Sequence, residues 1–134
     1  MIIPPIRKQD NHGSGHYHAP RGKRLHNGID LACYPESIIL SDIDGYVSKI
    51  GYPYPPGGKK GEYRYIEIIS SEGARYRYFY VRPVVQVGNE IMEGNMIGLS
   101  QDLSKIYPGI THHIHVEIIV DGDYVDPTDL LEGY

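Results

Sequence analysis

The residues of this chain best suited to chemistry fall in two short motifs. The first is Arg24-Leu25-His26-Asn27-Gly28-Ile29-Asp30 and the second is His113-Ile114-His115. Imidazole nitrogen and carboxylate oxygen are ordinary zinc donors at roughly 2 Å. His26 and Asp30 offer one of each, and Gly28 between them lets the backbone bend or approach closely. In an extended segment His113, His115 and Glu117 share one face, while Ile114, Val116 and Ile118 take the other. Two histidines on one face reach one small site, so one binds a metal while the other handles protons. Three protein ligands with one position open to water make a catalytic rather than a structural zinc site. Zinc lowers the pKa of water toward ~7 and polarises a carbonyl. A free histidine accepts the water's proton and passes it to a leaving amine. The chemistry that fits is amide-bond hydrolysis.

Other candidates are weaker. His12, His16 and His18 sit among glycines and read as surface residues, and His112 falls on the opposite face from His113 and reads as a bystander. Cys33 is the sole cysteine, so no internal disulfide forms. It reads as a small buried hydrophobe, with zinc ligation as the minor alternative.

The elements that must position these groups are strands. Ser37–Ser41, Gly45–Ile50, Val84–Val87, Met96–Leu99 and His113–Val120 are short β-type runs. Tyr63–Ser70 and Arg75–Val81 alternate strongly around Ser71-Glu72-Gly73 and read as a hairpin. Residues 52–60, rich in Pro and Gly, form a loop, and no stretch has sustained helical periodicity with caps. The expected fold is all-β, a compact antiparallel barrel-like sandwich, because closure removes exposed strand edges. Residues 1–20 read as an irregular N-terminal segment and 21–134 as a single domain.

With 134 residues the chain is long enough to bury a core without staples. Its 17 acidic residues exceed its 13 basic ones, so a basic nucleic-acid footprint is absent. The small basic clusters at Arg21, Lys23, Arg24 and at Arg75, Arg77 read as solvated faces. No signal peptide or membrane span is visible. Thirteen tyrosines stand beside one phenylalanine and no tryptophan. They suit half-wet strands or a groove holding an extended ligand.

Arg24-x-His26-x-Gly28-Ile29-Asp30, Asp44-Gly45-Tyr46-Val47, Val87-Gly88…Gly94-x-x-Ile97-Gly98 and His113-x-His115-x-Glu117 follow one another in an order that resembles the lysostaphin-type zinc endopeptidases. The resemblance runs from about residue 21 to residue 131. It implies that family's duplicated-hybrid-motif β fold with a zinc groove. It implies Zn2+ on His26, Asp30 and His115, with His113 catalytic. It also implies peptide cross-links of bacterial cell-wall peptidoglycan as substrate, and hence an extracellular or periplasmic site of action. The stretches His12-Gly13-x-Gly15-x-Tyr17, Leu31-x-Cys33, Phe79-Tyr80-Val81-Arg82-Pro83 and Ile106-Tyr107-Pro108-Gly109-Ile110 are similar to leukocyte cell-derived chemotaxin-like members of the family, which are regarded as signalling factors.

One departure bears on activity. Active members carry a further histidine in a Tyr-x-His-Leu-like strand, and the corresponding Tyr76-Arg77-Tyr78-Phe79-Tyr80-Val81 has none. Depending on register, Tyr80 or Phe79 takes its place. Tyr80 is the choice, on the expectation that Tyr76, Tyr78 and Tyr80 share a face and that a hydroxyl is useful beside a metal. A tyrosine can donate a hydrogen bond to an oxyanion but brings no positive charge. The leading expectation is therefore a zinc metalloendopeptidase, degenerate in that one histidine is missing. The alternative is a catalytically silent zinc-containing binding or signalling protein on the same fold. A biotinyl- or lipoyl-type carrier domain fits less well, because no lysine stands at a hairpin tip and His113-x-His115 would go unexplained.

Overall fold

Alternation of β-branched or aromatic residues with polar ones makes strands with one wet and one dry face, and this chain does so repeatedly. The computed structural model describes residues 20–21, 24–25 and 27–128. In chain order the first strands are β1 (Pro20–Arg21), β2 (Arg24–Leu25), β3 (Ile29–Ala32), β4 (Ile38–Leu40), β5 (Gly45–Gly51) and β6 (Tyr65–Ile69). Then follow β7 (Arg75–Phe79), β8 (Val81–Pro83), β9 (Glu90–Ile91), β10 (Met96–Ser100), β11 (His113–Val120) and β12 (Asp123–Val125). Among the described residues one 3-10 turn, Lys60–Glu62, interrupts the β5–β6 loop. No helix among the described residues is long and apolar enough to cross a membrane.

The larger sheet runs β12-β11-β7-β6-β5-β9, with β3 beside the first half of β11. A second sheet runs β4-β10-β8, and β1 pairs with β2. The pairings are antiparallel throughout. Ile29, Leu31, Ile66, Ile68, Tyr78, Ile97, Ile114, Val116 and Ile118 pack together in the core, each at most 1% exposed. This is the all-β antiparallel architecture expected.

Some elements differ from expectation. The hairpin of β6 and β7 closes over Ser71-Glu72-Gly73, with Gly73 at φ +88°. Val84–Val87 is not a strand. The run begins earlier as β8, because Tyr80 breaks β7 and Gly88 turns the chain at φ +94°. Pro83 is tolerated in β8 because that strand lies at the edge of its sheet, where a missing N–H costs little. β3 was not expected, since a charged residue stands in its middle. β12 was not expected either, although Asp121 and Gly122 at φ +51° and +83° make a two-residue hairpin turn before it.

Register lays two rows across the wet face of the larger sheet. One row is Asp30, His115, Phe79, Tyr65 and Gly51. The next is Glu117, Arg77, Glu67 and Lys49. The first row carries the chemistry and the second braces it.

Candidate active site

Asp30 reaches the site because β3 lies close against β11. Gly28 precedes it, and a Cβ there would run into the Val116 carbonyl. The close approach therefore needs glycine. Asp30 is only 3% exposed, and burial of a carboxylate requires partners. Its Oδ1 lies 2.8 Å from His115 Nδ1, and its Oδ2 lies 3.5 Å from His113 Nε2. His113 is also buried.

The outward nitrogens fix the two rings. His113 Nδ1 lies 2.7 Å from the Thr111 carbonyl. A carbonyl only accepts, so Nδ1 carries the hydrogen and Nε2 is the atom turned to Asp30. His115 Nε2 lies 3.1 Å from Glu117 Oε1. Burial alone would push the His115 imidazole down, but Asp30 and Glu117 on its two nitrogens outweigh that and hold its pKa at about 9.

Among the described residues no group of three or more histidine, cysteine or carboxylate side chains is placed to hold a metal ion; Asp30 and His115 are two of the three ligands expected, and the third, His26, lies outside the described residues. The buried carboxylate oxygens face one nitrogen of each histidine, which calls for protons or a cation between them. Were an ion held by Asp30 and His115 Nδ1, the His115 Nε2–H would still donate to Glu117. That carboxylate–histidine arrangement is the ordinary support for a metal-binding imidazole. Glu117 is steadied in turn by Arg77, whose guanidinium also meets Glu67 at 2.7 Å, with Arg75 at 2.8 Å on the other Glu67 oxygen. Burial would raise the Glu67 pKa, but hydrogen bonds from Arg77 and Ser48 and the charges of Arg77 and Arg75 lower it below the usual range.

Tyr80 stands beside His113, their rings 5.9 Å apart and nearly perpendicular. The route to that place is not the expected one. Tyr76 and Tyr78 point into the core, where the Tyr78 hydroxyl donates to Asp42 Oδ2 at 2.8 Å. Strict alternation would send Tyr80 there too. Instead its backbone adopts φ +66°, which resets the alternation and turns the ring to the site. Such a conformation is strained for tyrosine and persists only when the surroundings hold it. Here the Tyr80 N–H donates to the Arg64 carbonyl at 2.8 Å, and the Gln101 N–H donates to the Tyr80 carbonyl at 2.8 Å. Phe79 also lines the site, 5.2 Å from the His115 ring and stacked at 4.9 Å on Tyr65. Burial pushes the Tyr80 phenol up to about 12.

Thus Asp30, His113, His115 and Tyr80 are brought together. His26 lies outside the described residues, as do His12, His16 and His18. His112 bonds outside the site: its ring nitrogens lie 2.9 Å from the Cys33 carbonyl and 2.8 Å from the Gln101 carbonyl, tying two segments together. Cys33 packs against the core as expected, and burial raises its thiol pKa. Sequence alone assigns no site role to Tyr54, Tyr63, Tyr107 or Thr111; tyrosine abundance is the signal for Tyr54 and Tyr63, and Tyr107 stands in a stretch similar to chemotaxin-like members.

The sequence profile of Peptidase family M23 matches residues 24–127. Leukocyte cell-derived chemotaxin-2 of Bos taurus is 35% identical over 123 residues, which is 92% of this chain and 77% of that protein. Among solved structures, the catalytic domain of the antimicrobial peptidase lysostaphin from Staphylococcus simulans superposes with a TM-score of 0.69 at 22% identity over 90% of each chain. A zinc containing peptidase from Vibrio cholerae superposes with a TM-score of 0.62 at 23% identity, over 92% of this chain and 37% of that one. At these identities the two structural likenesses speak for the fold.

Proposed function

The chain belongs to Peptidase family M23, and on that premise we propose that it is a zinc-dependent metalloendopeptidase acting on peptide cross-links of bacterial cell-wall peptidoglycan. The observation that carries the reading is the buried Asp30 carboxylate, with one oxygen on His115 Nδ1 and the other facing His113 Nε2. His26, Asp30 and His115 would hold the ion. Bound there, zinc would supply a Lewis acid for the scissile carbonyl and lower the pKa of the attacking water. His113, fixed through Nδ1 by Thr111, would take the water's proton at Nε2 and return it to the leaving amine. Tyr80 would donate a hydrogen bond to the developing oxyanion. Its high pKa keeps the hydrogen in place across the working range. Action on cell walls would place the protein outside the cytoplasm, extracellular or periplasmic.

A second reading is a catalytically silent zinc-containing binding or signalling protein. The absence of a histidine from residues 75–81 favours it, as does the likeness to a protein named as a chemotaxin. There the ion would pin the His26 segment to β11 and add folding free energy directly.

Peptide release from purified cell walls by the zinc-loaded protein, with His113→Ala as control, separates the two. The peptidase reading expects release that falls on the order of 100-fold or more in a variant that retains zinc. A variant that cuts as fast as the parent removes His113 from the mechanism. No release across a panel of wall types, by protein carrying zinc, favours the silent reading.

A further inference from the structure

Three tyrosines from three separate parts of the chain join hydroxyls beside the site. Tyr54 of the β5–β6 loop has its hydroxyl 3.1 Å from that of Tyr80 and 2.6 Å from that of Tyr107, which belongs to the β10–β11 loop. The rings are fixed as well. Tyr54 stacks near Tyr80 with centroids 6.4 Å apart, and Tyr63 meets Tyr80 edge-on at 6.0 Å. At the outer end Lys60 Nζ lies 5.3 Å from the centroids of both the Tyr54 and Tyr107 rings. At the inner end the Tyr80 ring meets the His113 ring, centroids 5.9 Å apart.

A phenol has one hydrogen to donate. Tyr54 between two hydroxyls donates to one and accepts from the other, so the chain has two possible polarities. In one, Tyr80 donates outward to Tyr54 and turns a lone pair to the site. In the other, Tyr107 donates to Tyr54, Tyr54 donates to Tyr80, and the Tyr80 hydrogen is left for the site. The Lys60 cation repels hydroxyl hydrogens at the outer end, which selects the second polarity. Donors in series also polarise one another, so each hydroxyl strengthens the next.

We propose that Tyr54 and Tyr107, oriented by Lys60, are positioning residues that aim the Tyr80 hydroxyl hydrogen at the oxyanion of the substrate. The inference rests on the peptidase reading above and deepens it. It accounts for how a neutral phenol, held in a strained backbone, serves where a charged imidazole is missing. Tyr80 keeps its proton throughout, so no bond is made or broken along the chain.

The test compares the zinc-loaded parent with Tyr54→Phe, Tyr107→Phe, Lys60→Met, Lys60→Arg and Tyr80→Phe. Each is measured for zinc content and melting temperature. For each, kcat and KM are then measured on peptides from the cell-wall cross-links of the panel above, and Kd for phosphinic analogues of the same peptides, whose tetrahedral oxygens mimic the oxyanion. Losing one neutral hydrogen bond costs roughly 3- to 10-fold, and Tyr54→Phe is expected to lose that in kcat and in analogue affinity with KM unchanged. Tyr107→Phe and Lys60→Met should follow in the same direction, and Lys60→Arg should retain parental values. Added to Tyr80→Phe, Tyr54→Phe should cost nothing more, since both act through one hydroxyl. A parent that hydrolyses and binds the analogue, with Tyr54→Phe unchanged or with a full additive loss in the double variant, overturns the positioning role alone. A parent that neither hydrolyses nor binds the analogue overturns the peptidase reading, and the positioning role with it.

Discussion

Asp30 and His115 stand 85 residues apart in the chain and 2.8 Å apart at Oδ1 and Nδ1. They are direct partners across the β3–β11 ladder. Antiparallel register therefore makes the contact before any metal is considered. A buried carboxylate against one imidazole, with a second imidazole on its other oxygen, is costly unless a proton or cation lies between. The site is thus built around positive charge, a proton or a cation between its nitrogen and oxygen donors.

Asp30→Asn keeps the shape and removes the charge. Zinc content measured after dialysis is expected to fall from about one ion per chain to a small fraction of that. Ligand present at 100 times its Kd stabilises a fold by about 2.7 kcal/mol, which for a chain of this size is a melting shift on the order of 10 °C. Chelation should lower the parent's melting temperature by roughly that amount and leave the variant's unchanged. Equal shifts in both would place the ion elsewhere.

Tyr80→His returns an imidazole to the position beside His113. Histidine is among the residues enriched at positive φ, so the +66° backbone should accept it. A charge-assisted hydrogen bond is roughly twice as strong as a neutral one, so kcat at neutral pH should rise by roughly tenfold with zinc content unchanged. A variant no faster than the parent would mean that the phenol already supplies what the oxyanion needs, or that another residue does.

Much of this was legible in the sequence. Tyr65–Ile69, Arg75–Phe79 and His113–Val120 alternate with period two because each has one core face and one wet face. The donor types at Asp30, His113 and His115 were legible for the same reason, since alternation puts the two histidines on one face. Ile29–Ala32 was harder, because a charge in mid-strand makes sense only once its distant partners are known. Asp121-Gly122 is a two-residue turn signal in the sequence, and the hairpin of β11 and β12 closes over it. The orientation of Tyr80 was not readable, since no glycine marks its positive φ and its strain is held by Arg64 and Gln101 from two loops. Tyr54 and Tyr107 sit in loops without periodicity, so only the folded chain shows that their hydroxyls meet.

Gly28→Ala tests how the site is assembled from outside it. The added Cβ meets backbone of Val116 on β11, which cannot rotate aside as a side-chain end would. Overpacking of this kind costs about 1–3 kcal/mol. The easier response is for β3 to draw back from β11, which separates Asp30 from His115. Unfolding in urea should show the loss in stability, and zinc affinity should fall along with it. Full stability with parental zinc binding would show that β3 has room that the register does not suggest.

Asp42 is expected to give the fold a pH dependence separate from the candidate site. It is 3% exposed, and burial raises its pKa to about 6, despite the Tyr78 hydroxyl donating to its carboxylate. The sign follows from proton binding. Between about pH 4 and pH 6 the folded chain holds the Asp42 proton and the unfolded chain has released it. Stability therefore falls as pH rises through this window. Below it both states are protonated and no penalty applies; above it the penalty is complete. At about 1.4 kcal/mol per pH unit the separation amounts to roughly 3 kcal/mol as an upper figure. Asp42→Asn keeps an acceptor for Tyr78 and cannot ionise. Its stability in urea should match the parent's near pH 4 and exceed it by up to that amount at pH 7. A variant that is less stable at both pH values, by the same margin, would show that ionised Asp42 is well accommodated and that its carboxylate contributes to the fold.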